Sequence, residues 1–261
     1  MTRNRAAGPP PIHWIDEGSG LPIVWIHGFP LSGRIWSGQI TMPGFRHIVP
    51  DLAGFGKSTP DDTISIDAYA SSIVALLDHL NINRALVAGL SMGGYITLAL
   101  LRTVPERFSG VILVDTKETP DTPEGRARRL EAIDNVSSNG ITGLVDHMLP
   151  DLLFKASPRL IQQAREIMEE SSPRGTVNAL RAMADRTDSS AVLRNLEAPA
   201  LVIVGAQDTL TPPSDAERMA AMIPSCCLVK IDGAGHLSNL QQPEIFNTQV
   251  EAFARREGLR R

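Results

Sequence analysis

Gly89-Leu90-Ser91-Met92-Gly93 constrains this 261-residue chain more than any other stretch. The apolar run Ala85-Leu86-Val87-Ala88 precedes it, and Gly94-Tyr95-Ile96-Thr97-Leu98-Ala99-Leu100-Leu101 follows. This context predicts a strand, a sharp turn and a buried helix. A serine at such a turn is pushed out of the backbone in a strained conformation, with its hydroxyl exposed. Small residues two before and two after it let strand and helix close around the turn. Ser91 read as a nucleophile demands an acid and a base further along the chain, in that order.

The surrounding pattern alternates strands with helices. Ile12-His13-Trp14-Ile15 and Ile23-Val24-Trp25-Ile26 flank Gly18-Ser19-Gly20 and predict a hairpin. His47-Ile48-Val49 is a third short strand. From Ser65 to Leu80, apolar residues recur at three and four positions (Ile66, Tyr69, Ala70, Ile73, Leu76, Leu77, Leu80), which predicts a one-faced helix. Val111-Ile112-Leu113-Val114 is a further strand. Strand signals then vanish between about Lys117 and Ser190, where short amphipathic helices follow one another. Ser157-Pro158 and Ser172-Pro173 each pair an N-cap serine with proline at the first helical position. Alternation resumes with the strand Ala200–Val204, a helix over Pro213–Ile223, the strand Leu228–Ile231 and a helix over Pro243–Ala254. Continuous apolar strands alternating with helices imply an α/β fold with a mostly parallel sheet covered on both faces. The expected division is a core of 11–116 and 191–257, a helical insertion at 117–190 above the sheet, and loose termini at 1–10 and 258–261.

Composition narrows the function. Twenty-five basic residues against 29 acidic give a net charge of −4, so there is no electrostatic case for nucleic acid or an anionic membrane. No run of about 18 apolar residues predicts a membrane span. The N-terminus starts basic but lacks an apolar leader core. The two cysteines, Cys226 and Cys227, are adjacent and without metal-ligand spacing. Reduced thiols in a cytoplasmic protein are the expectation. The six histidines are scattered, so no metal is expected. Gly54-Phe55-Gly56-Lys57-Ser58 ends like a phosphate loop, but Asp51 stands where that pattern needs its first glycine, so the nucleotide reading fails on spacing.

In a parallel sheet, function collects at the carboxyl ends of strands. Asp208 follows Ile203-Val204 in Gly205-Ala206-Gln207-Asp208. His236 follows Val229-Lys230-Ile231 in Asp232-Gly233-Ala234-Gly235-His236. Ser91, Asp208 and His236 therefore occur in the order an acyl-transfer triad requires, each just past a strand. His236 is the expected base and Asp208 the acid that orients it. Asp115, also at a strand end, is the alternative acid. The oxyanion of a tetrahedral intermediate needs two donors. Met92 N–H is one. Phe29 N–H, in His27-Gly28-Phe29-Pro30 after the strand Val24-Trp25-Ile26, is the other. His27 is expected to brace that loop.

The five segments His27–Pro30, Asp51–Ser58, Gly89–Gly94, Gly205–Asp208 and Gly233–His236, in this order, resemble the α/β-hydrolase superfamily over nearly the whole chain. That resemblance implies an eight-stranded, mostly parallel sheet, a helical lid after the sixth strand, and no cofactor. Within the superfamily the chain is similar to small bacterial carboxylesterases, 3-oxoadipate enol-lactonases and cofactor-free haloperoxidase-like perhydrolases. The activity implied is a serine hydrolase acting on small to medium carboxylic esters or lactones. Pro30 after the oxyanion residue raises a perhydrolase side activity. A ligand receptor on the same fold is the alternative of a different class. Substrate choice is expected to reside in the lid and neighbouring loops, with Phe29, Met148, Leu149, Leu152, Leu153, Phe154 and Leu237 as the wall. A dianionic lactone would instead need arginines facing inward, for which Arg126, Arg128, Arg129, Arg174 and Arg181 are available.

Overall fold

One sheet runs in the order β1-β3-β2-β4-β5-β6-β7 in the computed structural model, which describes residues 11–260. The strands are β1 (Trp14–Gly18), β2 (Leu21–Ile26), β3 (Phe45–Pro50), β4 (Ala85–Leu90), β5 (Phe108–Val114), β6 (Ala200–Gly205) and β7 (Cys226–Ile231). β1 runs antiparallel to β3, and every other neighbouring pair is parallel. β4 and β6 are buried along their whole length, which is why they read as unbroken apolar runs. Alternate side chains still sort to opposite faces. Leu86, Ala88 and Leu90 enter one apolar layer, and Ala85 and Val87 the other.

Among the described residues, ten α-helices cover the sheet or lie over its carboxyl edge. In chain order they are α1 (Ile66–His79), α2 (Met92–Thr103), α3 (Pro123–Asn139), α4 (Thr142–Leu152), α5 (Pro158–Glu169), α6 (Pro173–Ala184), α7 (Ser190–Arg194), α8 (Pro213–Met222), α9 (Ser238–Gln241) and α10 (Pro243–Arg256). Residues of α1, α2 and α8 fill one layer with Val87, Val111 and Val202. Phe246, Val250 and Phe253 of α10 fill the other with Trp25 and Trp36. The N-caps predicted at Ser157 and Ser172 form, and Ser65 caps α1 as well. Ser65, Ser157 and Ser172 accept from the N–H groups of Ala68, Leu160 and Gly175, and proline follows the latter two.

Four expectations are corrected. The predicted hairpin is not formed, because β3 lies between β1 and β2. β2 is fully buried from Ile23 to Ile26 and needs a partner on each side, so β3 and β4 flank it, while the partly exposed β1 takes the edge. The described residues form seven strands rather than eight. The helical block accordingly follows the fifth of them, β5, rather than the sixth. Finally, residues 258–260 are not loose. Gly258, at φ 63°, reverses the chain so that Leu259 and Arg260 N–H both donate to Ala254 C=O. Leu259 then packs on the α10 layer, and the Arg260 guanidinium lies over the Phe45 ring at 5.0 Å. The expected arm at 1–10 lies outside the described residues, as does Arg261.

Candidate active site

Ser91 sits between β4 and α2 at φ 52° and ψ −112°, a left-handed backbone that a side chain bearing a Cβ adopts only under constraint. The constraint is close packing. A Cβ on Gly89 would overlap the Gly93 carbonyl, and one on Gly93 would overlap the Ile26 carbonyl. Ser91 N–H donates to Val114 C=O at 2.9 Å, and Gly94 N–H donates back to Ser91 C=O at 2.8 Å. The turn is thereby locked and the hydroxyl projects from it.

Asp208 and His236 converge on that hydroxyl from the ends of β6 and β7. His236 Nδ1 lies 2.8 Å from Asp208 Oδ2, and Nε2 lies 2.9 Å from Ser91 Oγ. A carboxylate only accepts, so Nδ1 carries the proton and donates it, leaving Nε2 to accept from the serine hydroxyl. Thr211 Oγ donates to the same Asp208 Oδ2 at 2.7 Å, and the N–H groups of Leu210 and Thr211 donate to Oδ1 at 2.8 and 3.1 Å. Burial by itself would raise the Asp208 carboxyl, but the His236 charge and these donors outweigh it and hold the group below the usual carboxylate range. Burial by itself would lower His236, yet the facing Asp208 charge and hydrogen bond raise it above the ordinary histidine value.

Asp115 does not touch the imidazole. Its Oδ1 accepts from Gly205 N–H at 2.8 Å, and its Oδ2 accepts from Ser238 N–H at 3.1 Å and from Ser238 Oγ at 2.6 Å. It therefore ties the end of β5 to β6 and to the start of α9. Complete burial, then the negative charge of Asp208, pushes its carboxyl up to about 7.

The loop after β2 adjoins the elbow. A Cβ on Gly28 would stand 3.2 Å from the Ser91 Cβ, so Phe29 follows directly beside the hydroxyl. The N–H groups of Phe29 and Met92 donate to no other described residue. His27 is buried and braces this loop. Its Nδ1–H donates to Gly28 C=O at 2.9 Å, and its Nε2 accepts from Leu52 N–H at 2.9 Å, which makes it the neutral tautomer. Burial lowers its pKa, in keeping with that state. Asp51 is a loop organiser, accepting from Gly33 N–H at 2.8 Å and Lys57 N–H at 3.0 Å. Among the described residues no group of three or more His, Cys, Asp or Glu could hold a metal ion. No helix of the described residues is long and apolar enough to cross a membrane.

Ser91 and His236 open onto a cavity of about 400 Å³. Of the apolar wall expected from sequence, Phe29 and Met148 line it. Leu149, Leu152, Leu153 and Leu237 do not. They are packed in the α10-side apolar layer. Phe154 is absent from the wall as well. Its N–H and C=O are both held by the Gln241 side chain, whose Oε1 also accepts from Gly235 N–H beside His236. This clamp joins the segment after α4, in the middle of the helical block, to the histidine loop. The cavity instead takes Gly125, Arg128, Arg129 and Ala132 from one face of α3, together with Tyr95, Lys117, Thr211 and Met183. Of the five arginines considered from sequence, Arg128 and Arg129 face it; Arg126 pairs with Asp185 and Arg174 with Asp62. Thr211, not singled out from the sequence, holds Asp208 from the turn that follows it.

Residues 23–249 match the alpha/beta hydrolase family. A curated relative, 3-oxoadipate enol-lactonase 2 of Acinetobacter baylyi, is 30% identical over 229 residues, spanning 85% of this chain and 84% of the relative. Among solved structures, a thermophilic esterase from Thermogutta terrifontis superimposes with a TM-score of 0.92 at 35% identity, covering 94% of this chain and 93% of the esterase. The enol-lactonase from Burkholderia xenovorans LB400 gives 0.85 at 25% identity, covering 93% of this chain and 95% of that one.

Proposed function

The chain belongs to the alpha/beta hydrolase family, and from that premise we propose that it is a serine hydrolase cleaving carboxylic esters of small to medium acyl groups through an acyl-enzyme. The single observation that carries the reading is the unbroken hydrogen-bonded line from Asp208 through His236 to Ser91 at the wall of a cavity. In this reading His236 Nε2 takes the Ser91 proton as Oγ attacks the ester carbonyl. The carbonyl electrons move onto its oxygen, which the free N–H groups of Phe29 and Met92 receive. Collapse expels the alcohol, which leaves with the proton held by His236. Water then repeats the sequence on the acyl-serine, releasing acid and free Ser91. Asp208 stabilises the imidazolium in both halves and stays ionised throughout. The helical block at 117–190 acts as the lid that selects substrate, and no cofactor takes part.

Lactone hydrolysis is the second reading, since the same attack opens a ring ester. It is supported by the similarity to 3-oxoadipate enol-lactonase 2 over most of both chains. Perhydrolase side activity is motivated by Pro30 after the oxyanion residue. The test is turnover of p-nitrophenyl acetate and butyrate by wild type and Ser91→Ala. A burst followed by steady turnover, lost by about 10³-fold or more in Ser91→Ala, is expected. Absence of both burst and turnover in wild type sinks the reading, and ligand-dependent protein binding without turnover would favour the receptor class instead. A lactone panel ranked against acyclic esters by kcat/KM decides between the two hydrolytic readings.

A further inference from the structure

Lys117 has no part in the chemistry above. It stands three residues past the end of β5, half-buried, in the wall of the cavity that holds Ser91 and His236. Its ammonium meets no carboxylate of its own. Asp121, in the same wall, is held by Arg129 at 2.5 Å and by Arg186 at 2.8 Å. Glu118 is held by Arg218 at 2.6 Å, and Asp215 by the same guanidinium at 2.7 Å. Asp121, Glu118 and Asp215 are thus each already engaged by arginine. Burial, then the positive charge of Arg186, holds the Lys117 pKa below the usual lysine range. The charges of Asp215 and Asp121 reach Lys117 too, but both are shared with arginines, so this partly desolvated cation is incompletely compensated, which an incoming anion relieves.

We propose that the cavity takes esters bearing a carboxylate on the acyl or alcohol part, with Lys117 as its counter-ion; this rests on the hydrolase reading. The remaining lining fits such a ligand. Arg128 and Arg129 add positive charge, and Asp121 is the one carboxylate of the wall. Arg128 is exposed and adds an attractive field for an approaching anion. Ala132, Leu144, Met148, Leu180 and Met183 supply an apolar stretch for a short methylene chain between the charge and the scissile carbonyl. A lysine is a compact point charge suited to a single carboxylate, without the fork geometry that arginine would impose. Half-esters of short dicarboxylic acids are the substrate class.

The test has a binding arm and a turnover arm. Ser91→Ala protein is titrated calorimetrically with glutarate, with and without Lys117→Met or Lys117→Arg, each variant checked by its melting curve. Binding weakened at least about tenfold by Lys117→Met, and retained within about threefold by Lys117→Arg, is expected. No glutarate binding, binding indifferent to Lys117→Met, or equal competition by inorganic phosphate overturns the assignment. In the turnover arm, wild type should prefer monoethyl glutarate over ethyl pentanoate in kcat/KM by about tenfold or more, and Lys117→Met should erase the preference. Equal hydrolysis of monoethyl glutarate and ethyl pentanoate by wild type overturns this inference and leaves the hydrolase reading standing. Lys117-dependent glutarate binding without turnover of either ester supports the carboxylate site, and the failure falls on the hydrolase reading.

Discussion

Asp208 and His236 at the strand ends are 3% and 4% exposed, whereas Arg128 and His147, which line the same cavity from α3 and α4, are exposed. The strand-end groups are each held by several fixed partners. Asp208 alone receives four donors, and Asp115 locks the loops on either side. Arg128 makes no ion pair within the described residues. In the proposed reading, chemistry that depends on sub-ångström placement falls to a buried sheet edge, where close packing leaves one arrangement. The same reading gives choice of substrate to helix surface, where side chains change without disturbing the core.

The two carboxylates at strand ends give the largest contrast. Asp208→Asn presents the wrong hydrogen-bonding partner to Nδ1 and should lower kcat by about 10⁴-fold. Asp115→Asn sets an amide N–H against backbone donors and should destabilise the fold by about 1–3 kcal/mol with a far smaller loss of kcat. Ester turnover and thermal melts of the pair measure both. If Asp115→Asn proves the more damaging to kcat, the acid has been misassigned.

Packing residues and cavity residues should separate next. Leu152→Ala removes a side chain buried in the α10-side layer and should cost about 2–5 kcal/mol. Met148→Ala, one turn earlier on α4 and facing the cavity, should cost clearly less and shift acyl-chain preference instead. Chemical denaturation together with a chain-length series of p-nitrophenyl esters distinguishes them.

A smaller effect lies in pH. His236 acts as base only when neutral, so kcat/KM falls as pH drops through its folded-state pKa. Because Asp208 raises that pKa, the acid limb should lie above the ordinary value near 6.5. Asp208→Asn removes the negative charge and should move the limb downward in the residual activity. A pH–rate profile with the limb unmoved by the substitution would contradict the pairing.

These contrasts match what was legible in the sequence. Ser91, Asp208 and His236 could be found because strands in a parallel sheet end in loops along one edge, and each residue follows an apolar run. The capped helices were legible for an equally local reason, the serine–proline pairs at 157–158 and 172–173. Partner choice for β1 was not local. Both arms of the expected hairpin were present, but burial of β2 on both sides drew β3 between them. Leu149, Leu152, Leu153 and Leu237 misled for a related reason. Apolar character marks a side chain as buried without saying whether it faces a cavity or a neighbouring layer. Lys117 followed the strand-end rule as clearly as Asp115 did, but a lysine in a loop reads as solvated until the arginines that claim its neighbours are in place.

Labelling with a fluorophosphonate, with peptide mapping of the adduct, tests the central claim that the strand-end line activates Ser91. A single adduct on Ser91, absent from Ser91→Ala and formed more slowly as pH falls through the His236 pKa, is expected. Labelling at another serine, or none in a folded wild-type protein, would contradict it.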